Sequence, residues 1–248
     1  MRRKGQHFLV DGAIIDCIVD GAKLSRKDVV LEIGPGTGNL TEALAARAGR
    51  VYAVEVDPEL AGELEGRFSN VEVICKDVLR LDLPDYNKVV SNLPYQISSK
   101  ITLRLLQRPF DLAVLMYQRE FVKRLTALPG SRAYGRLSIN AAYYSSVELL
   151  CSVPRTAFKP VPNVDSAVVR LRPNLDRPPV DQGAFEELTR TLFTMRRKKS
   201  GKALAALAPG AVELADPAVM EKRPEELTLD EVVGLANALS GALSRTHS

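Results

Sequence analysis

The sequence predicts an α/β protein with a parallel, doubly wound sheet and a small helical domain after it. Three observations predict this fold class. Short β-branched runs alternate with helical segments up to about residue 116, a glycine-rich turn follows the first run, and apolar residues in the last third recur at helical spacing. Parallel strands need a crossover segment between them, and the alternating helices supply it.

Five strands are predicted in the first half of the chain, each as a short run rich in β-branched residues. They cover 29–33, 51–55, 71–75, 88–91 and 112–116. Helices are predicted over 39–49, over 97–107 and from Asp57-Pro58, where proline suits the first helical position.

The pattern changes after about residue 145. Two further strands are predicted over 147–151 and 167–171, around a proline-rich stretch, and 174–182 is the predicted linker. Two later segments have the apolar spacing of helices: Phe185, Leu188, Leu192 and Phe193, then Leu227, Val232, Leu235 and Leu239. We therefore expect two domains, 1–175 and 176–248.

Composition argues against several classes of protein. The chain has 248 residues, of which 46% are apolar and 26% charged, as is typical of globular proteins. No apolar run approaches the roughly 18 residues that cross a bilayer. Acidic residues follow the basic start, where a signal peptide needs an apolar stretch. We expect neither membrane attachment nor secretion.

Cysteine and histidine are sparse. Cys17, Cys75 and Cys151 are far apart and form no Cys-x-x-Cys pair. We therefore expect neither a disulfide scaffold nor a zinc ribbon, and predict a reducing, cytoplasmic location. His7 and His247 are too few for a histidine-based metal site, so no metal is predicted.

The most informative segment is the turn Gly34-Pro35-Gly36-Thr37-Gly38 between a strand and a helix. Glycines let the backbone pass close to a ligand because no Cβ obstructs it. The dinucleotide fingerprint would need glycine where Asn39 stands, which disfavours a pyrophosphate-containing cofactor.

Two acids at successive strand ends sharpen this prediction. Glu55 ends the second strand, about 20 residues after the turn, where an acid accepts hydrogen bonds from a ribose diol. Asp77 follows the third strand, where it can accept from an adenine amine. A glycine-rich turn without a pyrophosphate signature, together with acids for ribose and adenine, predicts S-adenosylmethionine as the cofactor.

Asn92-Leu93-Pro94-Tyr95 follows the fourth strand. This turn suits methyl transfer to the exocyclic amine of adenine. That amine is a poor nucleophile because its lone pair is delocalised into the ring, so a site must orient it. The Asn92 amide oxygen and the Leu93 carbonyl can accept its two N–H bonds and aim the lone pair at a methyl group. Pro94 holds the turn rigid, and Tyr95 offers a face for stacking. An ordinary strand-ending turn with a packed tyrosine is the alternative.

Four segments stand in the order of a known family: Gly5-Gln6-His7-Phe8-Leu9, 32–38, 92–95 and 158–166. Together they resemble the KsgA/Dim family of ribosomal RNA adenine dimethyltransferases, over nearly the whole chain. His7 departs from the Asn common in bacterial members and resembles archaeal ones.

The resemblance implies a Rossmann-like S-adenosylmethionine-dependent methyltransferase domain with a small C-terminal helical domain. The implied cofactor contacts are His7, Leu9, Gly34, Gly36, Glu55, Asp77 and Asn92. The implied catalytic residues are Asn92, Leu93, Pro94, Tyr95 and Phe158. Phe158 lies in a proline-rich loop and is expected to stack on the base opposite Tyr95, although a hydrophobic plug under the loop is the alternative.

The implied reaction is dimethylation of two adjacent adenosines near the 3′ end of small-subunit ribosomal RNA. We expect the chain to act as a monomer, on RNA within an immature ribosomal subunit. Two alternatives stay open. One is a large-subunit ribosomal RNA methyltransferase, against which the block 158–166 argues. The other is a non-catalytic ribosome-assembly or transcription factor, which the retained Asn92 and Tyr95 disfavour.

Charge patterning agrees with an RNA partner. The net charge is +4 overall, but −3 over 1–99, +8 over 100–172 and −1 over 173–248. A basic middle predicts a bound polyanion. Arg196-Arg197-Lys198-Lys199 with Lys202 is typical of a phosphate-contacting patch, and a solvated helix end is the alternative. Further candidates for a basic rim are Lys100, Arg104, Arg108, Arg119, Lys123, Arg124, Arg132 and Arg136.

Overall fold

The structure is a computed structural model that describes residues 6–246. Gly5 of the first motif, His247 and the basic start of the chain lie outside the described residues. The strands are β1 (Phe8–Leu9), β2 (Val29–Ile33), β3 (Arg50–Glu55), β4 (Val71–Cys75), β5 (Lys88–Asn92), β6 (Leu112–Gln118), β7 (Ser145–Val153), β8 (Phe158–Lys159) and β9 (Ser166–Pro173).

The α-helices fill most of the connections. They are α1 (Gly12–Ala22), α2 (Asn39–Arg47), α3 (Pro58–Leu64), α4 (Ser98–Leu106), α5 (Arg119–Leu125), α6 (Arg136–Tyr144), α7 (Gln182–Thr194), α8 (Ser200–Leu207), α9 (Pro217–Glu221) and α10 (Leu229–Thr246). Short 3₁₀ turns cover Tyr95–Ile97, Arg155–Ala157, Pro209–Leu214 and Pro224–Glu226.

The main sheet has seven strands in the order β4-β3-β2-β5-β6-β9-β7. The first five are parallel, and β9 pairs antiparallel with both β6 and β7. The seven strands predicted from sequence are confirmed within two residues at each end. Asp57 caps α3 by accepting from the Glu59 N–H, with Pro58 at the first helical position. The doubly wound arrangement places the ends of the parallel strands, where ligands bind in such sheets, at one edge.

A second, two-stranded sheet pairs β1 with β8 antiparallel, with Leu9 opposite Phe158 and Phe8 opposite Lys159. Two residues are too few to show a strand period, so sequence patterning does not reveal this pair. Its effect is to join the start of the chain to the proline-rich loop.

The chain divides into two compact units, and this division differs from the predicted one. One unit runs up to Val122 and includes Ser145–Pro173; the other combines Lys123–Tyr144 with the residues from Asn174 onward. The predicted boundary after residue 175 lies close to the break at Pro173, but 123–144 belongs to the second unit. A boundary drawn along the sequence assigns each domain one continuous segment, so it cannot show that 123–144 packs with residues that come much later in the chain.

Aromatic packing explains why 123–144 joins the second unit. The Tyr143 ring of α6 lies 4.5 Å from the Phe185 ring of α7, measured between centroids. The Tyr134 hydroxyl donates to the Leu227 carbonyl oxygen over 2.8 Å. The predicted helical spacing of the tail is confirmed, since Leu188 of α7 and Leu239 of α10 are buried.

The cysteines depart from expectation. Cys17 of α1 and Cys151 of β7 form a disulfide across 134 residues of sequence, whereas Cys75 is free and exposed. Sequence separation carries no information on this pairing, because the sheet brings β7 beneath α1 only in the folded unit. Among the described helices, none is both long and apolar enough to cross a membrane.

A buried ion pair ties the start of β2 to the start of β5. Asp28 accepts from Lys88 Nζ at 3.0 Å, from Asn87 Nδ2 at 2.9 Å and from Ser25 N at 2.6 Å. The Asp28 and Lys88 side chains are only 8% and 12% exposed. Burial alone would raise the pKa of the Asp28 carboxyl, but the hydrogen bonds from Asn87, Lys88 and Ser25 lower it below its ordinary value.

We predict that Lys88→Met lowers the free energy of unfolding by about 3 kcal/mol at pH 7, because it leaves a buried carboxylate without its cation. A lowered pKa stabilises the fold above the unfolded value of 3.8 and ceases to do so as pH falls through the folded value. The deficit should therefore shrink below about pH 4. Urea unfolding at pH 7 and pH 3 measures both. Lys27→Met, on an exposed neighbour, is the control, and a Lys88→Met deficit no larger than that of the control would contradict the prediction.

Candidate active site

A cleft of about 430 Å³ lies at the carboxyl ends of the parallel strands. The loops that follow β2, β3, β4 and β5 form it, together with the residues of β1. Ten of the predicted site residues line it: His7, Leu9, Gly34, Gly36, Glu55, Asp77, Asn92, Leu93, Pro94 and Tyr95. The sheet thus brings three separate sequence motifs to one cavity.

The glycine-rich turn is compressed between two ring side chains. Gly34, at φ +70°, would place a Cβ 2.9 Å from Pro94 Cγ, and Gly36, at φ +59°, would place one 2.8 Å from Phe8 Cδ1. Both the positive φ and the close approach exclude larger residues. The turn therefore forms a surface on which a ligand can rest directly against backbone.

Glu55 anchors this turn as well as lining the cleft. Its Oε2 accepts from Gly36 N at 3.2 Å, and its Oε1 accepts from Val56 N at 2.8 Å and Asp57 N at 3.0 Å. Glu55 as a whole is 5% exposed. Three backbone N–H groups fix its orientation, and its remaining lone pairs are the acceptors it can offer a ligand.

Two buried acceptors in the lining have no hydrogen-bond partner among residues 6–246. These are Glu32 Oε2 and Gln6 Oε1. Burial and, secondarily, the neighbouring Glu55 carboxylate raise the pKa of Glu32 to about 8, an effect that the Thr41 hydroxyl only partly offsets. A cationic donor entering the cleft would satisfy these oxygens and favour the ionised form of Glu32. The local sequence gives no sign that these two oxygens would be buried without partners, although Glu32 begins the glycine-rich motif.

Asp77 lies in a turn after β4. Its Oδ1 accepts from Leu79 N at 2.9 Å, and its carbonyl oxygen accepts from Arg80 N and Leu81 N. Val78 and Leu79 line the cleft beside it. The turn thus combines an acceptor with apolar side chains, as a flat heteroaromatic ring requires.

Asn92 ends β5, and no other described residue hydrogen-bonds its side-chain amide, which is free to meet a ligand. Tyr95 follows it in a 3₁₀ turn, where its hydroxyl lies 2.8 Å from Ser166 Oγ. Burial raises the pKa of the Tyr95 hydroxyl, and the Ser166 hydrogen bond opposes that effect. The phenol therefore stays neutral and tethered while its ring borders the cleft.

Phe158 is not where the resemblance implied. It is 1% exposed, packs in the core with Leu9 and Ile18, and does not line the cleft. Its place opposite Leu9 in the β1–β8 pair directs the ring into the apolar interior, where burying a side chain of this size contributes about 1.5–3 kcal/mol. In this structure the ring does not form an exposed wall opposite Tyr95, and its burial agrees with the alternative of a plug under the loop; the role of Phe158 toward the base stays a prediction.

Two side-chain hydrogen bonds hold the segment around β1 against the cleft. His7 Nδ1 donates to the Pro160 carbonyl oxygen at 2.7 Å, because that oxygen can only accept. Asn39 Nδ2 donates to the Leu9 carbonyl oxygen at 2.7 Å. Asn39 stands where a dinucleotide fingerprint has glycine, and here its side-chain amide joins the glycine-rich turn to β1. From the sequence alone, Asn39 is only a mismatch to that fingerprint.

Two of the residues proposed for a basic RNA-binding rim instead donate hydrogen bonds to backbone carbonyl oxygens. Arg104 donates to the Val78 and Leu81 carbonyl oxygens, each over 2.5 Å, and Arg108 donates to the Leu83 carbonyl oxygen at 3.3 Å. Both belong to α4 or its end and hold the connection after β4. Lys100, Arg119 and Arg132 are exposed.

The cluster in the second unit is only partly free. Arg196 pairs with Glu225, and Lys199 pairs with Glu221. Arg197, Lys198 and Lys202 are exposed and have no ion-pair partner among residues 6–246. Within the same range no group of three or more His, Cys, Asp or Glu is arranged to hold a metal ion.

Comparison with known proteins agrees with this geometry. A relative from Methanosarcina mazei described as a probable ribosomal RNA small subunit methyltransferase A is 44% identical over 97% of this chain and 93% of its own. A dimethyladenosine transferase from Plasmodium falciparum shares the fold with a TM-score of 0.79 and 30% identity, over 92% of this chain and 95% of that one. The 23S rRNA methyltransferase ErmE matches with a TM-score of 0.69 and 31% identity, over 94% and 99% of the two chains.

The family is shown directly by sequence. The model of the ribosomal RNA adenine dimethylases matches residues 1–237. That match takes in the glycine-rich turn, the Asn92–Tyr95 turn and the segment around Ser166. The chain belongs to the ribosomal RNA adenine dimethylase family.

Proposed function

We propose that this protein transfers methyl groups from S-adenosylmethionine to the exocyclic amines of two adjacent adenosines near the 3′ end of small-subunit ribosomal RNA. The products are dimethyladenosines. The protein acts in the cytoplasm, as a single chain, on RNA within an immature ribosomal subunit. One observation carries the proposal: the free Asn92 amide opens into the same cleft as the glycine-rich turn and the two acids that suit the cofactor.

The residues present fit S-adenosylmethionine. The cradle over Gly34 and Gly36 admits no Cβ, and Gln6 and Glu32 offer side-chain acceptors that no described residue hydrogen-bonds. These acceptors suit the ammonium of the methionine end, beside His7 and Leu9. When bound, the cofactor supplies an electrophilic methyl group on its sulfonium sulfur.

The acids at the ends of β3 and β4 bind the adenosine half of S-adenosylmethionine. Glu55 keeps lone pairs for the ribose hydroxyls while three backbone N–H groups hold it still. Asp77 accepts from the adenine amine, with Val78 and Leu79 against the ring. The Asp77 contact therefore combines an acceptor of fixed orientation with an apolar surface, and this combination favours an uncharged aromatic base.

Asn92 prepares the nucleophile. Its amide oxygen accepts one N–H of the target amine and the Leu93 carbonyl accepts the other, which directs the nitrogen lone pair at the methyl group. The bound cofactor would supply the methyl group, Asn92 and the Leu93 carbonyl would hold the amine toward it, and the proton that the methylated nitrogen loses would pass to water. A monomethylated amine still has one N–H to donate, so the same acceptor serves the second transfer.

Tyr95 receives the base. The target must leave its stack, which costs a few kcal/mol, and stacking on an aromatic ring returns about 1–3 kcal/mol. Tyr95 supplies this surface at the catalytic turn, whereas Phe158 is buried. The hydrogen bond between the Tyr95 and Ser166 hydroxyls holds the far end of the ring in place.

A large-subunit substrate is the second candidate, favoured by the likeness to ErmE. The small-subunit reading has more support, because relatives of that description are more similar in sequence and cover nearly the whole chain. Incubating both unmodified subunits with the enzyme and locating dimethyladenosine by primer extension separates the two. Stops confined to the 3′ end of the small-subunit RNA are expected, and stops only in the large-subunit RNA would overturn the assignment.

We predict that Asn92→Ala lowers the single-turnover rate of methyl transfer by about 10²–10³, because a preorganised acceptor is lost. RNA affinity should stay within about threefold of the parent, because it comes mostly from phosphate contacts. The assay uses saturating S-adenosylmethionine and unmodified small subunits, with mass spectrometry of the nucleosides.

The matched control for this variant is Tyr95→Phe, which keeps the stacking face and removes only the Ser166 hydrogen bond. It should lose far less rate than Asn92→Ala. A near-normal rate for Asn92→Ala would show that the amide does not orient the amine.

We also predict that replacing three exposed cations with Gln makes RNA binding less sensitive to salt. The negative slope of log K against log salt should become shallower by about 2, at roughly 0.7 per phosphate contact. The three residues are Arg197, Lys198 and Lys202. The affinity for S-adenosylmethionine should not change. Filter binding at several salt concentrations gives the slope. Arg196→Gln is the control, because Arg196 already pairs with Glu225. An unaltered slope in the triple variant would mean that the cluster does not contact RNA.

A further inference from the structure

The turn that carries Asp77 has little regular structure of its own. It follows β4, the edge strand of the main sheet, and its internal hydrogen bonds are the Asx-type bond to Asp77 Oδ1 and two bonds to the Asp77 carbonyl. Asp77 also pairs with Arg80, whose side chain is 88% exposed, at 3.9 Å. Such an exposed pair contributes little. Something else must hold the turn in place.

Arg104 does so from α4. Its Nη1 donates to the Val78 carbonyl oxygen and its Nη2 to the Leu81 carbonyl oxygen, each at a distance of 2.5 Å. The guanidinium is planar and offers its donors in a fixed geometry, so two bonds to one turn restrict both its position and its tilt. One of these carbonyls directly follows Asp77 and the other ends the turn, and both Asp77 and Leu79 line the cleft.

The same helix starts from the catalytic turn. Ser98, the first residue of α4, donates from its Oγ to the Pro94 carbonyl oxygen at 3.2 Å. The helix α4 is therefore fixed through Ser98 to the turn that holds Asn92 and Tyr95, and through Arg104 to the turn that holds Asp77. A rigid helix between them sets the distance between the two binding surfaces.

We propose that Arg104 is a positioning residue of the cofactor site, which holds the Asp77 turn in register with the catalytic turn and so sets the affinity for the adenosine half of S-adenosylmethionine. This rests on the proposed placement of adenine beside Asp77. It also removes Arg104 from the RNA-binding surface, to which its charge alone would assign it.

The test compares Arg104→Met with Lys100→Met. Methionine keeps much of the length of arginine and removes its donors. Lys100 lies one turn away on the same helix and is exposed. The ligands are S-adenosylmethionine and 5′-methylthioadenosine, which carries only the adenosine half, and calorimetry gives the affinity for each.

For Arg104→Met we expect both affinities to fall together by about ten- to a hundredfold, because two charge-assisted hydrogen bonds that hold the turn are lost. The single-turnover rate at saturating S-adenosylmethionine and the salt slope of RNA binding should match the parent. Lys100→Met should keep the cofactor affinity within about twofold. Arg104→Lys, which can reach one carbonyl, should fall between the two.

Three results would overturn the proposal. One is an unchanged cofactor affinity in Arg104→Met. Another is a lowered salt slope with unchanged cofactor affinity, which would make Arg104 an RNA contact. The third is an equal loss of rate at saturating cofactor, which would show general damage to the unit. If Arg104→Met does not fold, the Arg104→Lys affinities decide in the same way.

Asp77→Asn separates this proposal from the placement on which it rests. If Asp77→Asn binds 5′-methylthioadenosine as well as the parent does, adenine does not lie beside Asp77 and the proposed placement fails. If Asp77→Asn binds it weakly while Arg104→Met binds it normally, the placement stands and only the role of Arg104 is wrong.

Discussion

The close contact of the glycine-rich turn with Pro94 on one side and Phe8 on the other is the constraint on which the cleft depends. Backbone without side chains must pass between two rings, and this is possible only because Gly34 and Gly36 have positive φ angles and no Cβ. The contact joins the loop after β2 to the catalytic turn after β5 and to the first described strand. Three parts of the chain thereby become one wall, and the ligand meets main chain where other residues would present side chains.

Around this wall the acids have double roles. Glu55 holds the glycine-rich turn through Gly36 N and also faces the cleft, so the group that recognises a ligand is part of the structure that shapes the site. Asp77 does the same for its own turn through Leu79 N. Because their orientation is set by backbone N–H groups, the acceptors are in place before a ligand arrives, and little ordering is needed on binding.

The parallel strands and most of the cleft follow from local pattern. The run Val29–Ile33 ends at glycines, and the acids Glu55 and Asp77 come at strand ends, so parallel pairing alone predicts that they meet. What the pattern does not contain is partnership over long sequence distances. The pairing of Phe158 with Leu9 and the disulfide of Cys17 with Cys151 depend on tertiary packing. An exposed loop phenylalanine and a buried one have the same local sequence, so only the fold decides between them.

Charge was the least predictive feature for the same reason. Arg104 and Arg170 belong to the basic middle of the chain, yet Arg104 caps carbonyl oxygens and Arg170 pairs with Glu148. A guanidinium serves backbone capping, ion pairing and phosphate contact equally well, and composition counts all three alike. The signal that separates them is the geometry of the acceptors within reach.

The β1–β8 pair has a consequence for how the unit assembles. His7 and Pro160, which are 153 residues apart, meet at the rim of the cleft. A ribosome must therefore synthesise the chain past β8 before that wall can close, and contacts of such sequence separation slow folding through the entropy of loop closure. The cofactor has no completed pocket in the nascent chain, so its binding selects the finished unit and stabilises it by mass action. A cell with abundant methyl donor would thus hold this protein folded more firmly than a starved one.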